Sequence, residues 1–283
     1  MPGERGAIVN AGPAAWALEE HAQRLSRALW LPISESPAQY NYLLGWDVSC
    51  GKPAGELFIP YDSILIASDK RLQARLFAVH KVQTPETHLI DSADEVQAFV
   101  RARSDSRWVL KWPIGCAATG HRLLGPNETV PEEWPRPYIV QEFVVLERPE
   151  VFRLYCVAGE TFGWNARRFP TGAKPSPWVA HAQGARYEDT GAIPLEAETE
   201  VKKALRATEL IDSFGCVDLL KTANGRWLVL EVGTDGIYTH VDRDIGVNGI
   251  ADEIDRRVAT AFWSRIGEPP WGPDDWRPCG VWH

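Results

Sequence analysis

The chain of 283 residues has no run of basic residues, no apolar stretch near the length of a membrane span and no C-x-x-C pair. Each gap excludes a class. At a net charge of −8 and without clustered Lys and Arg, neither a nucleic acid nor a membrane surface is an expected partner. Without about 20 consecutive apolar residues there is no spanning helix. The N-terminal region has no apolar run of signal length and carries Glu19, Glu20 and His21 early, so a cytoplasmic protein is expected. The five cysteines (50, 116, 156, 216, 279) are scattered, which argues against a disulfide frame or a zinc site. No predicted strand is followed by Gly-x-Gly-x-x-Gly opening a helix, so a dinucleotide-binding dehydrogenase is a poor reading. Internal repeats and low-complexity runs are also missing.

What is present is an ordinary globular composition, 45% hydrophobic and 24% charged, in a chain long enough for two or three lobes. A helical pattern spans 13–30, and 34–60 is punctuated by Pro and Gly like a loop. Ser63 to Ala67 is predicted as a short strand. The next helix opens at Asp69-Lys70, with Leu72, Leu76 and Val79 as its apolar stripe. Ser92 to Glu95 forms a capping box ahead of another helix. Lys111 lies in the predicted strand 107–112, which runs into a loop of small residues, 113–120, of the kind whose N–H groups can approach phosphate. Residues 138–146 and 151–169 are predicted strands, 196–212 and 249–266 helices. The Trp/Pro tail, 269–283, has no regular pattern.

The strongest signal is the stretch 215–244. Asn224-Gly225 separates two apolar runs, and Asn-Gly best tolerates the positive φ angles of a type I′ hairpin turn. With those two residues as the loop, pairing partners sum to 449, so Leu220 faces Val229 and Asp218 falls opposite Glu231. Opposed Cβ atoms lie about 4.5–5.5 Å apart, where like charges repel. Between apolar strands water relieves little of that repulsion, so a positive centre is expected there. Oxygen-only ligands suit Mg²⁺, which takes one or two carboxylates and completes its shell with water and phosphate. The alternative is a polar pair on a solvated face. In the hairpin that turns near Gly159, Arg153, Tyr155, Trp164 and Arg168 are expected on one face, an anion site or else solvated arginines under an aromatic cover.

In chain order these features are Asp69-Lys70 at a helix start, Lys111 before a small-residue loop, Val-Gln-Glu-Phe-Val at 140–144, an Arg-bearing hairpin, and Val-Asp-Leu-Leu with Leu-Glu-Val after the Asn-Gly turn. Over roughly 63–245 this set resembles the ATP-grasp superfamily, in particular the carboxylate–amine ligases related to D-alanine–D-alanine ligase and the ribosomal-protein glutamate ligase. The resemblance implies a mixed α+β fold in which two lobes grip ATP between antiparallel sheets. The corresponding division is a reduced N-terminal substrate lobe (1–67), a central lobe with a flap (68–145), a C-terminal lobe with the metal site (146–268) and the tail (269–283). It implies that Lys70 and Lys111 contact ATP phosphates beneath a flap at 115–120. Gln141, Glu142 and Val144 would form the adenine hinge, and Glu150, with Glu147 as rival, would hold the ribose. Arg168, supported by Arg153, would steady the transferred phosphate, and Asp218 and Glu231 would hold Mg²⁺. A small-molecule or peptide carboxylate and an amine would be joined through an acyl phosphate. A phosphotransferase or a nucleotide-binding pseudoenzyme is the alternative, and association of two copies is left open. Asp218→Asn or Glu231→Gln is then expected to abolish turnover with the fold intact.

Two departures stand out. Gly233 replaces the family's usual Asn, so a metal position loses a ligand unless Thr234, Asp235 or Asn165 replaces it. The flap centre, Cys116 to Thr119, is poor in glycine. His240, Asp242 and Arg243 follow the metal strand and face either the substrate or solvent.

Overall fold

The computed structural model describes residues 5–12, 15–115, 119–174, 176–234, 238–246 and 249–267. The flap centre at 116–118, Asp235 and the tail at 269–283 lie outside them.

A parallel four-stranded sheet opens the chain, in the order β2-β1-β3-β4. It comprises β1 (Gly6–Asn10), β2 (Ile33–Ser34), β3 (Tyr40–Leu44) and β4 (Glu56–Leu57), with α1 (Trp16–Leu29) between its first two strands. Residues 34–60 are therefore not simply loop. Tyr42, Leu43 and Leu44 follow one another without polar alternation because strands of a parallel sheet are buried on both faces. The apolar run expected as a strand at 63–67 is instead α2 (Tyr61–Ser68), which starts behind Pro60 and buries Ser63 and Ile64. A short apolar run does not by itself distinguish strand from helix.

Asp69 caps α3 (Lys70–Val79) by accepting the Arg71 N–H. This helix buries Gln73 and Phe77, while Val79 is 73% exposed, so its inward face is rotated from the expected stripe. Next come β5 (Thr87–Ile90), α4 (Ala93–Ala102), β6 (Trp108–Lys111), β7 (Arg122–Leu124) and β8 (Tyr138–Glu142). Ser92 caps α4 through the Glu95 N–H, as the capping box requires. These strands make an antiparallel sheet, β5-β8-β6-β7.

The third sheet, β11-β10-β9-β12-β13, holds the second half of the chain. Its strands are β9 (Glu150–Val157), β10 (Glu160–Arg168), β11 (Arg186–Asp189), β12 (Phe214–Lys221) and β13 (Trp227–Gly233). Helices α5 (Leu195–Ala207), α6 (Thr239–Ile245) and α7 (Ile250–Arg265) complete the fold. Asp242 accepts N–H bonds from Gly249, Ile250 and Ala251, so its carboxylate is taken up at the start of α7. Arg243 pairs with Glu20.

A buried polar group joins α1 to α7. Arg24 pairs with Asp252 and Asp255, and the Tyr238 hydroxyl donates to Asp255. His21, packed edge-on against Tyr238, has no hydrogen-bond partner on either ring nitrogen. Burial, then Arg24, pulls its pKa to about 3. The unfolded chain takes up a proton there below about 6.5, so stability is complete above that pH and lost as pH falls toward 3. At pH 5 the loss is about 2 kcal/mol. Asp255 acts in the opposite sense. Burial raises it to about 6 against the pull of Arg24 and Tyr238, so its contribution is present below the ordinary carboxylate pKa and lost as pH rises through 6. His21→Phe is therefore expected to gain about 2 kcal/mol on wild type between pH 7.5 and pH 5 in denaturant melts. Stability curves that stay parallel across that range would contradict the assignment.

Candidate nucleotide and metal site

The cleft-facing side chains of the large sheet are set by two β-bulges. In the β9–β10 hairpin the pairing runs Tyr155 with Phe162 and then Arg153 with Asn165, one residue out of step. Gly163 makes this shift possible. Its φ is +70°, and a Cβ there would lie 2.9 Å from the Tyr155 ring. The extra residue reverses the faces beyond it. Arg153 shares its face with Asn165 and Arg167, whereas Trp164 stacks on Phe152 on the other side. The expected grouping of Arg153 and Tyr155 with Trp164 and Arg168 is thus corrected. Arg168 pairs with Glu150 and Glu188 on the far face, and the structure brings neither Arg168 nor Glu150 to the cleft.

In the β12–β13 hairpin the Gly225 N–H donates to the Thr222 carbonyl and the Thr222 N–H to the Arg226 carbonyl. Gly225 has φ +81° and Asn224 is not in the left-handed region, so the loop is a three-residue type and not the expected type I′ turn. Leu220 consequently faces Leu228 instead of Val229. A bulge at Leu230 shifts the register back, and Asp218 pairs with Glu231 as the sequence predicts.

Both carboxylates line a cleft of about 1150 Å³, open solvent included, between the two antiparallel sheets. Lys111, Gln141 and Glu142 reach it from the smaller sheet, Val144 from the connection after β8, and Arg167 from β10. Six of the expected site residues are thereby gathered in one place: Lys111, Gln141, Glu142, Val144, Asp218 and Glu231. Lys70 sits at their edge. Its Nζ donates to the Gly115 carbonyl at 2.6 Å and lies 3.7 Å from Glu231 Oε2.

The protein itself supplies much of the positive charge that the facing carboxylates require. Arg153 Nε and Nη2 donate to the two Asp218 oxygens at 2.7 and 3.0 Å, and Arg167 Nη2 donates to Oδ2. Burial raises the Asp218 pKa, but the two guanidiniums outweigh it and hold the carboxyl below its ordinary range. Arg167 Nε is buried with no partner, an unused donor on a side chain that lines the cleft. Burial draws Lys111 down to about 8, with Lys70 adding to the fall and Glu231 and Asp218 opposing it. Among the described residues no group of three or more His, Cys, Asp or Glu could hold a metal ion. Glu231, which among the described residues makes one ion pair, at 3.7 Å to Lys70, is the oxygen donor with coordination to spare. One carboxylate completed by phosphate and water fits Mg²⁺. Gly233 adds no oxygen. A Cβ there would meet Cys216 Sγ at 3.4 Å, an ordinary contact, so neither backbone nor space demands the glycine.

Some lining residues were not anticipated. Ser176 to Ala180, between β10 and β11, form part of the wall, and His121 packs edge-on against Trp178 at 5.7 Å. Burial first, then Lys111 and Lys70, lowers His121 to about 3, so the ring is neutral and Nδ1 lacks a partner. No sequence pattern marks a strap of this kind. Arg167 adjoins the expected Arg168 in the sequence. Arg167→Leu, which removes a cleft-lining donor, is expected to cost about 10²-fold in turnover at this cleft, and Arg168→Leu only a few-fold. Equal losses in a turnover assay would contradict the assignment of faces.

This is the ATP-grasp fold, two α+β lobes with their antiparallel sheets on either side of one cleft. Three solved structures show the likeness. D-cycloserine synthetase DcsG matches at TM-score 0.63 and 18% identity, over 89% of this chain and 99% of that one. The ATP-grasp ligase PsnB, complexed with its minimal precursor, matches at 0.62 and 14% over 90% and 99%. D-alanine–D-alanine ligase from Bacillus anthracis matches at 0.63 and 14% over 93% and 99%. No protein-family model and no curated protein matches the chain. Among the described residues no helix is long and apolar enough to cross a membrane.

Proposed function

We propose that the chain is an ATP- and Mg²⁺-dependent ligase that joins a carboxylate to an amine. The observation that carries this reading is the meeting of Asp218 and Glu231 with Lys70, Lys111, Arg153 and Arg167 at one cleft of the fold. PsnB, of the same fold, has been solved with its precursor, Mg and ADP. Mg-ATP supplies an electrophilic γ-phosphate. An oxygen of the substrate carboxylate bonds to that phosphorus as the bond to ADP breaks. The amine nitrogen then bonds to the acyl carbon, phosphate leaves, and the ammonium proton passes to solvent or a base.

The chain's residues hold the charges of these steps. Glu231, with Asp218 beside it, would hold the metal, and Lys70 and Lys111 would meet phosphate oxygens as point charges. Arg167, with an Nε–H that has no partner, would donate to a transferred phosphate or an acyl oxyanion. Phosphoryl transfer depends mainly on such positioning and charge. The N–H groups of Glu142 and Phe143 already donate to Glu86 and Arg107, so a base would find hinge donors from Val144 onward. Glu147 replaces Glu150 as the ribose candidate, because Glu150 is committed to Arg168. The substrates proposed are a small-molecule or peptide carboxylate and an amine, in the cytoplasm.

The test is release of ADP and phosphate with ATP, Mg²⁺ and mixed carboxylates and amines. Amine-dependent phosphate release supports the ligase. A phosphorylated product shows a phosphotransferase instead, and binding without turnover a pseudoenzyme.

A further inference from the structure

The hairpin carrying Asp218 and Glu231 starts from its turn in a register that would separate them. Leu219 pairs with Val229 and Leu220 with Leu228. Continued without interruption, that register sets Leu230 opposite Asp218 and Glu231 opposite Val217. Side chains alternate between the faces of a strand, so Glu231 would then point with Val217, which is fully buried in the core. The bulge at Leu230 restores Glu231 to the cleft side.

A bulge leaves ladder groups without strand partners. On the edge strand β13 such groups face outward, away from β12. A regular antiparallel strand turns N–H groups outward at even spacing. Here the N–H groups of Val229 and Val232, three residues apart on either side of the bulge, are both captured from outside the sheet. Val229 N–H donates to the Gln83 carbonyl at 2.7 Å. Val232 N–H donates to Gln73 Oε1 at 2.8 Å, and the Val232 carbonyl accepts from Gln73 Nε2 at 3.0 Å. The same Nε2 donates to the Ala67 carbonyl at 2.8 Å. One buried side-chain amide thus offers Val232 the N–H and C=O of a missing neighbour strand. It does so from α3, three residues along from Lys70, whose Nζ approaches Glu231.

We propose that Gln73 is a positioning residue, which locks the bulged register of β13 and so holds Glu231 beside Asp218 and Lys70. The inference rests on the reading of Glu231 as a residue of the nucleotide site. It adds a requirement that the two carboxylates do not themselves contain: the register that joins them is fixed from a helix outside the hairpin.

Gln73→Met keeps length and volume but removes every bond to Val232. Exchange of the Val232 amide in solvent deuterium, followed by NMR, is expected to accelerate more than that of the β12 amides. ADP affinity in Mg²⁺ is expected to fall about tenfold. In a Glu231→Gln background the same substitution should cost less than about twofold, because its effect passes through Glu231. An equal cost in both backgrounds would make Gln73 merely structural and overturn the proposal. So would an unchanged Val232 exchange rate. If Gln73→Met does not fold, Gln73→Leu carries the same measurements, since it too has no acceptor for the Val232 N–H and no donor for the Val232 and Ala67 carbonyls. Failure of the wild-type protein to bind any nucleotide would instead refute the functional reading of the cleft, and the exchange measurement would still decide the register lock.

Discussion

Glu231→Gln is expected to lower nucleotide turnover by about 10³-fold and to leave the protein folded. The carboxylate is 35% exposed and Lys70, its ion-pair partner, stands 3.7 Å away, so little stability depends on its charge. Neutralising it also relieves repulsion with Asp218 across the strand pair. The melting temperature is expected to stay within a few degrees of wild type, or to rise slightly. What is lost is the oxygen donor best placed for a divalent ion, and with it the shielding of the phosphates. Turnover within tenfold of wild type would remove Glu231 from the site.

Asp218→Asn behaves differently, and the expectation of an intact fold does not survive the geometry. Asp218 is 4% exposed and accepts from two guanidiniums that are themselves buried. Removing the anion leaves Arg153 and Arg167 as a like-charged pair without the carboxylate that bridges them. Breaking a buried ion pair from one side costs about 3–5 kcal/mol. A drop of that size moves the melting point of a protein this large by about 10 °C. Thermal melts and activity should therefore both fall, whereas for Glu231→Gln only activity falls. Replacing Arg153, Asp218 and Arg167 together by Met, Leu and Met should recover most of the stability and none of the turnover. A stable Asp218→Asn variant would contradict the triad.

The sequence carried most strands of the two antiparallel sheets, the capping box and the facing pair of carboxylates, because each rests on local chemistry: an Asn-Gly turn, a Ser followed three residues later by Glu, runs of β-branched residues. What it did not carry were departures by a single residue. Gly163 inserts one residue into β10 and moves the cleft arginine from 168 to 167. The three-residue loop at Gly225 and the bulge at Leu230 each shift the register by one, in opposite senses, so Asp218 meets Glu231 although the expected turn type was wrong. The N-terminal sheet escaped notice for another reason. Its strands are short and parallel, and buried parallel strands lack the alternation by which strands are recognised. Gln73 is the polar counterpart: a glutamine on an inward helix face looks misplaced until its bonds to Val232 are seen.

Calorimetric titration of the wild-type chain with ATP, in Mg²⁺ and then in excess chelator, tests the central claim most directly. Saturable binding that needs the divalent ion, and that weakens at least about tenfold in Glu231→Gln, is the predicted result. Binding of equal strength in chelator and in the variant would contradict it, for the facing carboxylates would then have no part in holding the nucleotide.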